Sequence, residues 1–160
     1  MLYQQKVDSI AIFVMGILGM VFVLFSTGAF KNLEADCPSA TFRNSWTAIQ
    51  VIGFCMVVAC IGFFLCTLRG SCYDANITRA ADIYFIVFGL FSMFLVGICS
   101  ASLKAYDSLS DKEKKDCDSG NTNKNYMVVI IALSVISLLA CAGLWVKDYI
   151  IAKRVEGGSE

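Results

Sequence analysis

Cysteines are the residues of this chain most able to do chemistry, and there are eight of them. Five fall within long apolar stretches, and Cys72 lies in a polar segment near the middle of the chain. The remaining two, Cys37 and Cys117, each stand alone in a polar segment, where a thiol has few apolar neighbours. Two such thiols indicate a disulfide if the surrounding elements bring their segments together.

Four stretches of the chain carry no charged residue, namely 10–30, 44–68, 83–103 and 125–146. A helix needs roughly 20 residues to cross about 30 Å of hydrocarbon, so each stretch can span a membrane. The chain is 58% hydrophobic and only 16% charged, which disfavours a soluble bundle. A cleaved signal peptide is the alternative for the first stretch.

The pattern predicts one all-α domain over residues 1–160, a polytopic four-transmembrane-helix bundle with both termini on the same side. The helices are expected over about 8–30, 45–68, 81–104 and 125–147, and residues 148–160 are expected to form a short cytosolic tail.

Four crossings place segments 31–43 and 104–124 on one side, so we predict a Cys37–Cys117 disulfide; two unrelated free thiols are the alternative. Disulfides persist in oxidising compartments, which would make this side extracellular or lumenal and the termini cytosolic. A plasma or vesicle membrane fits this arrangement, and the mitochondrial inner membrane is possible. Lys and Arg are nearly balanced between the sides, and glycosylation at the Asn76 sequon would need the reverse topology.

Groups for catalysis are scarce in the apolar stretches. The chain has no histidine, and the closest acidic residue to the interior of a stretch is Asp82, at the start of the third. Haem, catalytic zinc and proton relays usually need His or buried ionisable groups. We therefore expect no enzymatic activity, no metal and no cofactor beyond bound lipid, and the neutral charge balance of each side predicts no nucleic-acid partner.

Small and polar residues recur at spacings that suit close helix packing in lipid. The candidate helix-packing residues are Gly16, Gly19, Ala59, Gly62, Gly97, Ala101, Ser137 and Cys141. Internal seams of the bundle are the simplest interpretation, and dimerisation is the alternative.

Three further features suggest contacts. The phenylalanines Phe85, Phe88, Phe91 and Phe94 could form a partner-binding ridge, although lipid contact or bundle packing also explains them. Arg79 and Asp82 could form a local ion pair at the entrance of the third helix. Cys66 and Cys72 flank the end of the second helix, where palmitoylation is possible.

The segments "RAADIYFIVFGLFSMFLVGICSASLKA" and "VACIGFFLCTL" give the chain a resemblance to MARVEL-type tetraspan membrane proteins, the group that includes MAL and the synaptophysin-like proteins. The likeness covers about residues 5–150 and rests on pattern. It implies roles in membrane organisation, vesicle trafficking and lateral assembly, without an enzymatic centre.

These observations favour a tetraspan protein that organises a membrane domain by helix packing and self-association. The expected partners are membrane lipids, further copies of the chain and other transmembrane proteins. An accessory subunit of a larger respiratory, photosynthetic or channel assembly fits the same features. A pore-forming oligomer is a third possibility, although the apolar stretches offer few groups to line a water path.

Overall fold

The computed structural model describes residues 2–33, 37–68, 77–118 and 120–157. Five helices account for almost all of them: α1 (Leu2–Asn32), α2 (Ala40–Leu68), α3 (Ile77–Asp107), α4 (Asp111–Cys117) and α5 (Thr122–Gly157). Four of these helices contain segments long and apolar enough to cross a membrane, namely Val7–Lys31, Ala40–Thr67, Ala81–Asp107 and Thr122–Ile150. The all-α four-helix architecture expected from the charge-free stretches is confirmed.

The helices extend beyond the predicted spans. Intrahelical hydrogen bonds satisfy the backbone in lipid and in water alike, so a helix need not end where its sequence becomes polar. The largest difference lies at the C-terminus, where α5 continues to Gly157 and absorbs most of the expected 148–160 tail. The polar segment between α3 and α5 also differs from a plain loop, because it contains α4.

The four long helices form a closed ring. α1 packs along α2 and α3 packs along α5, while α2 also contacts α3 and α1 also contacts α5. In addition, α1 reaches α3 across the middle of the bundle. The largest buried side chains of the interior come from all four long helices and include Ile12, Phe22, Trp46, Met56, Phe85, Phe88, Leu95 and Ile130.

Large apolar side chains also cover the outside of the bundle. Leu24, Phe54, Phe94 and Leu139 each expose between 62% and 67% of their surface. Water would penalise so much contiguous apolar surface, whereas lipid accepts it. The described structure is therefore that of an integral membrane protein.

Glycines bring α1 and α2 into close contact, because they lack the side chain that would separate the backbones. A Cβ atom on Gly19 would lie 2.7 Å from the carbonyl oxygen of Gly53, and one on Gly53 would lie 2.8 Å from that of Gly19. A Cβ on Gly16 would lie 2.5 Å from the Cys60 sulfur. Gly16 and Gly19 thus occupy an internal seam, and Gly53 is its unpredicted counterpart on α2.

Replacing Gly19 by alanine is expected to lower the free energy of unfolding by about 1–3 kcal/mol, because backbone atoms must move apart to admit the methyl group. Gly143→Ala is the matched control, since a Cβ there meets no atom within 4 Å. That change is expected to be neutral or to stabilise the helix by up to about 1 kcal/mol. Unfolding in mixed micelles, followed by circular dichroism, measures both; equal effects would contradict the seam.

Candidate functional site

The predicted disulfide is present and ties the two polar segments together at one end of the bundle. Cys37 and Cys117 are bonded, with Cα atoms 4.4 Å apart and a sequence separation of 80 residues. Both cysteines are buried, and only 6% of the Cys37 surface is exposed. The bond joins the segment before α2 to the last residue of α4, so it links the first pair of helices to the second.

Hydrogen bonds around the disulfide hold α4 and the start of α5 in place. The Ser110 side chain accepts a hydrogen bond from the Glu113 N–H, and the Glu113 carboxylate accepts one from the Ser110 N–H. These bonds form a capping box and lower the pKa of Glu113. The Asp118 carboxylate then accepts hydrogen bonds from the N–H groups of Thr122 and Lys124, both at 3.0 Å, at the N-terminus of α5.

Aromatic and charged side chains complete this layer. The Tyr106 hydroxyl donates to the Asn121 side chain at 3.1 Å, and the Lys124 ammonium bonds Asp107 at 2.9 Å while lying 5.7 Å from the centre of the Tyr106 ring. The Phe42 ring packs against the Tyr106 ring, with centroids 5.0 Å apart. The disulfide end is thus a cross-braced cap, and its polar groups are used mainly in holding the cap together.

The middle of the bundle contains a hydrogen-bonded junction of three helices. The Ser92 hydroxyl on α3 donates to the Ser137 hydroxyl on α5 at 3.0 Å, and Ser137 donates to the Met15 sulfur on α1 at 3.1 Å. Ser137 and nearby Cys141 are buried, as expected of packing residues. The junction supports interhelical hydrogen bonding in lipid, which typically contributes about 0.6–2 kcal/mol per bond.

The opposite end of the bundle contains a charged cluster that the sequence analysis missed. The Lys147 ammonium on α5 lies 3.7 Å from a carboxylate oxygen of Asp8 on α1 and 3.7 Å from one of Asp148. Asp8 and Asp148 are 4% and 3% exposed. Asp82 on α3 lies close enough to interact electrostatically with both acids. We call these four residues the terminal charge cluster.

A sequence signal for this cluster did exist. A search for charge-free stretches discards the charges at their edges, and Asp8, Asp82 and Asp148 are all edge residues on the side of the termini. Four crossings place those edges at one end of the bundle, so the three carboxylates could be expected at the same end. The Lys147–Asp8 contact also places the start of α1 beside the end of α5, as both termini on one side requires.

The remaining predicted residues are divided between the inside and outside of the bundle. The four phenylalanines do not share an outward face: Phe85 and Phe88 are buried, Phe91 is half-buried and Phe94 is 63% exposed. A spacing of three residues drifts around a helix with 3.6 residues per turn, so the proposed ridge twists from interior to surface. Phe94 alone remains well placed to meet a partner.

The small residues are divided in the same way. Ala59 is half-buried, and Gly62 faces the Tyr84 hydroxyl, which would lie 3.6 Å from an added Cβ. By contrast, Gly97 and Ala101 lie on the outer surface of α3. Cys66 is exposed near the end of α2. Cys72, Asn76 and the side chain of Arg79 lie outside the described residues, so the Arg79–Asp82 pair and the second palmitoylation candidate stay predictions.

Loss of the disulfide is expected to destabilise the bundle. Chain-entropy arguments give roughly 4–5 kcal/mol for a loop of this size in an unconstrained chain, and membrane insertion already restricts the unfolded chain, so we expect a smaller loss. The Cys37→Ala/Cys117→Ala double variant should show a lower Tm in detergent, and Cys55→Ala, at an exposed position of α2, should not. Peptide mapping without reductant should recover the Cys37 and Cys117 peptides as one species; recovery as two thiols would contradict the bond.

The terminal charge cluster predicts an asymmetry between its members. The cluster contains three carboxylates and one ammonium, so Lys147→Gln should leave repelling acids and lower the free energy of unfolding by about 1–3 kcal/mol. Asp82→Asn removes one of the repelling charges and is expected to be neutral or stabilising. Thermal unfolding in neutral detergent at low ionic strength compares the two variants. A larger loss for Asp82→Asn than for Lys147→Gln would show that the electrostatic interpretation is wrong.

Comparison with known proteins does not assign this chain to a family, so its function has to be inferred from its own residues. No protein-family model matches the chain, and no match is found among curated proteins or solved structures. The resemblance to MARVEL-type proteins therefore stays a prediction. What the geometry provides is a membrane bundle with a braced cap, a buried charge cluster and an outward-facing strip of small residues on α3.

Proposed function

We propose that this chain is a non-enzymatic tetraspan protein that organises a membrane domain by lateral self-association through α3. The observation that carries this proposal is the outward position of Gly97, around which an added Cβ would meet no atom within 4 Å. Ala101 lies one turn further along and is exposed as well. In lipid, two small residues four apart allow a second helix backbone to approach closely.

The surroundings of Gly97 make this surface self-complementary. A shallow hollow lies beside the glycine, lined by Leu90, Met93, Phe94 and Ile98. Phe94 projects next to the hollow and is 63% exposed. When two copies of α3 cross at Gly97 about a two-fold axis, each copy can place its Phe94 into the hollow of the other. We call this surface (Leu90, Met93, Phe94, Gly97 and Ala101) the α3 outer face.

The interior of the bundle supports a structural role better than a pore. Large side chains such as Phe22, Phe88 and Leu95 fill the space between the helices and have no exposed surface. The polar groups of the interior fall into separate layers, because Asp82 and Ser92 are ten residues apart on α3, or about 15 Å at 1.5 Å per residue. A water path through one copy would have to cross these apolar layers.

The proposal also includes the orientation of the bundle in the membrane. The Cys37–Cys117 bond favours an oxidising compartment for the capped end, and this leaves the terminal charge cluster on the cytosolic side of a plasma or vesicle membrane. The resemblance to MARVEL-type proteins agrees with this orientation and with a role in lateral assembly.

Measurement of native size after mild detergent extraction tests the proposal, with mass spectrometry of the chains that migrate together. The unmodified chain should form a dimer or small oligomer containing only itself. Gly97→Leu should shift it to a monomer, because the leucine side chain blocks the close approach of the two helices. Gly143→Leu is the matched control, since Gly143 on α5 is exposed and also has no atom within 4 Å of an added Cβ.

Two results would contradict self-association through α3. The first is a monomeric unmodified chain at every detergent concentration that keeps the helices folded. The second is an oligomer that persists in Gly97→Leu. A large particle with other chains at a fixed ratio would instead identify an accessory subunit.

A further inference from the structure

A groove lies on the outside of the bundle between α3 and α5, and it shares Leu90 and Met93 with the α3 outer face. Its walls are apolar and include Phe85, Ile86, Gly89, Cys141, Ala142 and Trp145. Its volume is about 210 Å³. Ligand pockets for drug-sized molecules usually hold roughly 300–1,000 Å³, so this groove suits one hydrocarbon chain and not a bulky ligand. We call it the α3–α5 groove.

The length of the groove matches one leaflet of a bilayer. Along α3 its lining extends from Phe85 to Met93, eight residues or about 12 Å at 1.5 Å per residue. One leaflet contributes half of a hydrocarbon core of about 30 Å. The occupied leaflet is the one on the side of the termini, because Phe85 and Trp145 lie towards that end of their helices.

The groove changes from apolar to acidic at its outer end. Asp82 lies one helical turn before Phe85 and Ile86, on the same face of α3. Asp148 lies one turn after Trp145, and the two carboxylates interact electrostatically. Both belong to the terminal charge cluster, in which Lys147 is 3.7 Å from Asp8 and 3.7 Å from Asp148.

Asp82 is the member of that cluster whose carboxylate is partly exposed beside the groove. Among the side chains that the structure describes, no basic group lies within 4.0 Å of this carboxylate, and Arg79, one turn before it, stays its predicted partner. The Oδ1 atom of Asp82 is buried and accepts no hydrogen bond, while the side chain as a whole is only half-buried. A carboxylate in this position gains a charge-assisted hydrogen bond if a donor with positive charge approaches along the groove.

Aromatic rings stand beside the same end of the groove. Trp145 lines it, and Tyr149 stacks on Trp145 with ring centroids 6.2 Å apart and an interplanar angle of 22°. Both rings are exposed, at 45% and 59%. Their faces attract cations and their amphipathic character suits the boundary between hydrocarbon and headgroups.

We propose that the α3–α5 groove binds a single-chain lipid whose head is a primary ammonium, with the chain between α3 and α5 and the ammonium between Asp82 and Trp145. A primary ammonium can donate N–H to the half-buried carboxylate of Asp82, which a quaternary ammonium cannot do. An anionic head would be repelled by the Asp82 carboxylate at the end of the groove. A neutral head would gain no charge attraction from Asp82. The proposal goes beyond lateral association and does not depend on it.

Binding of labelled sphingosine to the purified chain in phosphatidylcholine nanodiscs tests this inference. Saturable binding above that of protein-free nanodiscs is expected, and a long-chain alcohol of equal chain length should not compete. Asp82→Asn should weaken binding roughly tenfold to a hundredfold, as expected for the loss of a hydrogen bond between charged groups. Asp107→Asn, at the exposed other end of α3, is the charge-matched control and should bind normally.

A second pair of variants tests the groove itself without touching the charge. Ala142 is exposed on the groove wall, so Ala142→Phe should fill the groove from outside and abolish binding without disturbing the interior. Ala140→Phe is the matched control, because Ala140 is exposed on the same helix but does not line the groove.

Four results would overturn the inference: equal binding of the alcohol, unchanged affinity in Asp82→Asn, unchanged affinity in Ala142→Phe, or displacement of sphingosine by phosphatidylethanolamine at comparable concentrations. The last result would assign the site to a two-chain lipid. None of these results bears on the native size of the chain, so failure here and failure of self-association are distinguishable.

Discussion

In a soluble protein the hydrophobic effect decides which face of a helix is buried, but in lipid an apolar face can lie inside or outside. The arrangement of this bundle therefore depends on other interactions between the helices. Apolar side chains lie both inside and outside, since Phe22 is fully buried and Phe54, on the neighbouring helix, is 62% exposed. Small and polar residues decide the faces instead, because only they lose contacts or hydrogen bonds when turned towards lipid. The Gly19–Gly53 contact orients α1 against α2, and the Ser92–Ser137 hydrogen bond orients α3 against α5.

The two ends of the bundle are held by different physical means. At one end a covalent bond between Cys37 and Cys117 joins the helix pairs, and its strength does not depend on salt or pH. At the other end, an ion pair joins Lys147 on α5 to Asp8 on α1. A partly buried ion cluster with more acids than bases is weaker and more responsive to its surroundings. The capped end therefore fixes the fold, and the charged end is the part that a ligand can influence.

The features that the sequence predicted are those that depend on the length of the charge-free stretches and on the number of membrane crossings. The four spans follow from the absence of charge, and the disulfide follows from an even number of crossings that brings Cys37 and Cys117 to one side. Rotation of each helix about its axis did not follow, since the pattern of apolar residues is nearly uniform around it. For this reason the division of the four phenylalanines between interior and surface was not predicted, and the role of Gly53 was not foreseen. The charge cluster was missed for another reason: Asp8, Asp82 and Asp148 stand at the edges of the charge-free stretches, and a pattern based on those stretches leaves the edge residues out.

α3 connects the two proposed surfaces physically. Leu90 and Met93 line both the α3–α5 groove and the hollow beside Gly97, so the two recesses share a wall. Methionine has a flexible, unbranched side chain that changes rotamer at little cost, and Met93 is 57% exposed. A hydrocarbon chain that fills the groove as far as Met93 would press this side chain towards the hollow that receives Phe94 of a second copy. A ligand that binds the monomer and the associated form with different affinities shifts the equilibrium between them by the difference in binding free energy. A lipid in the groove can therefore bias association in the membrane.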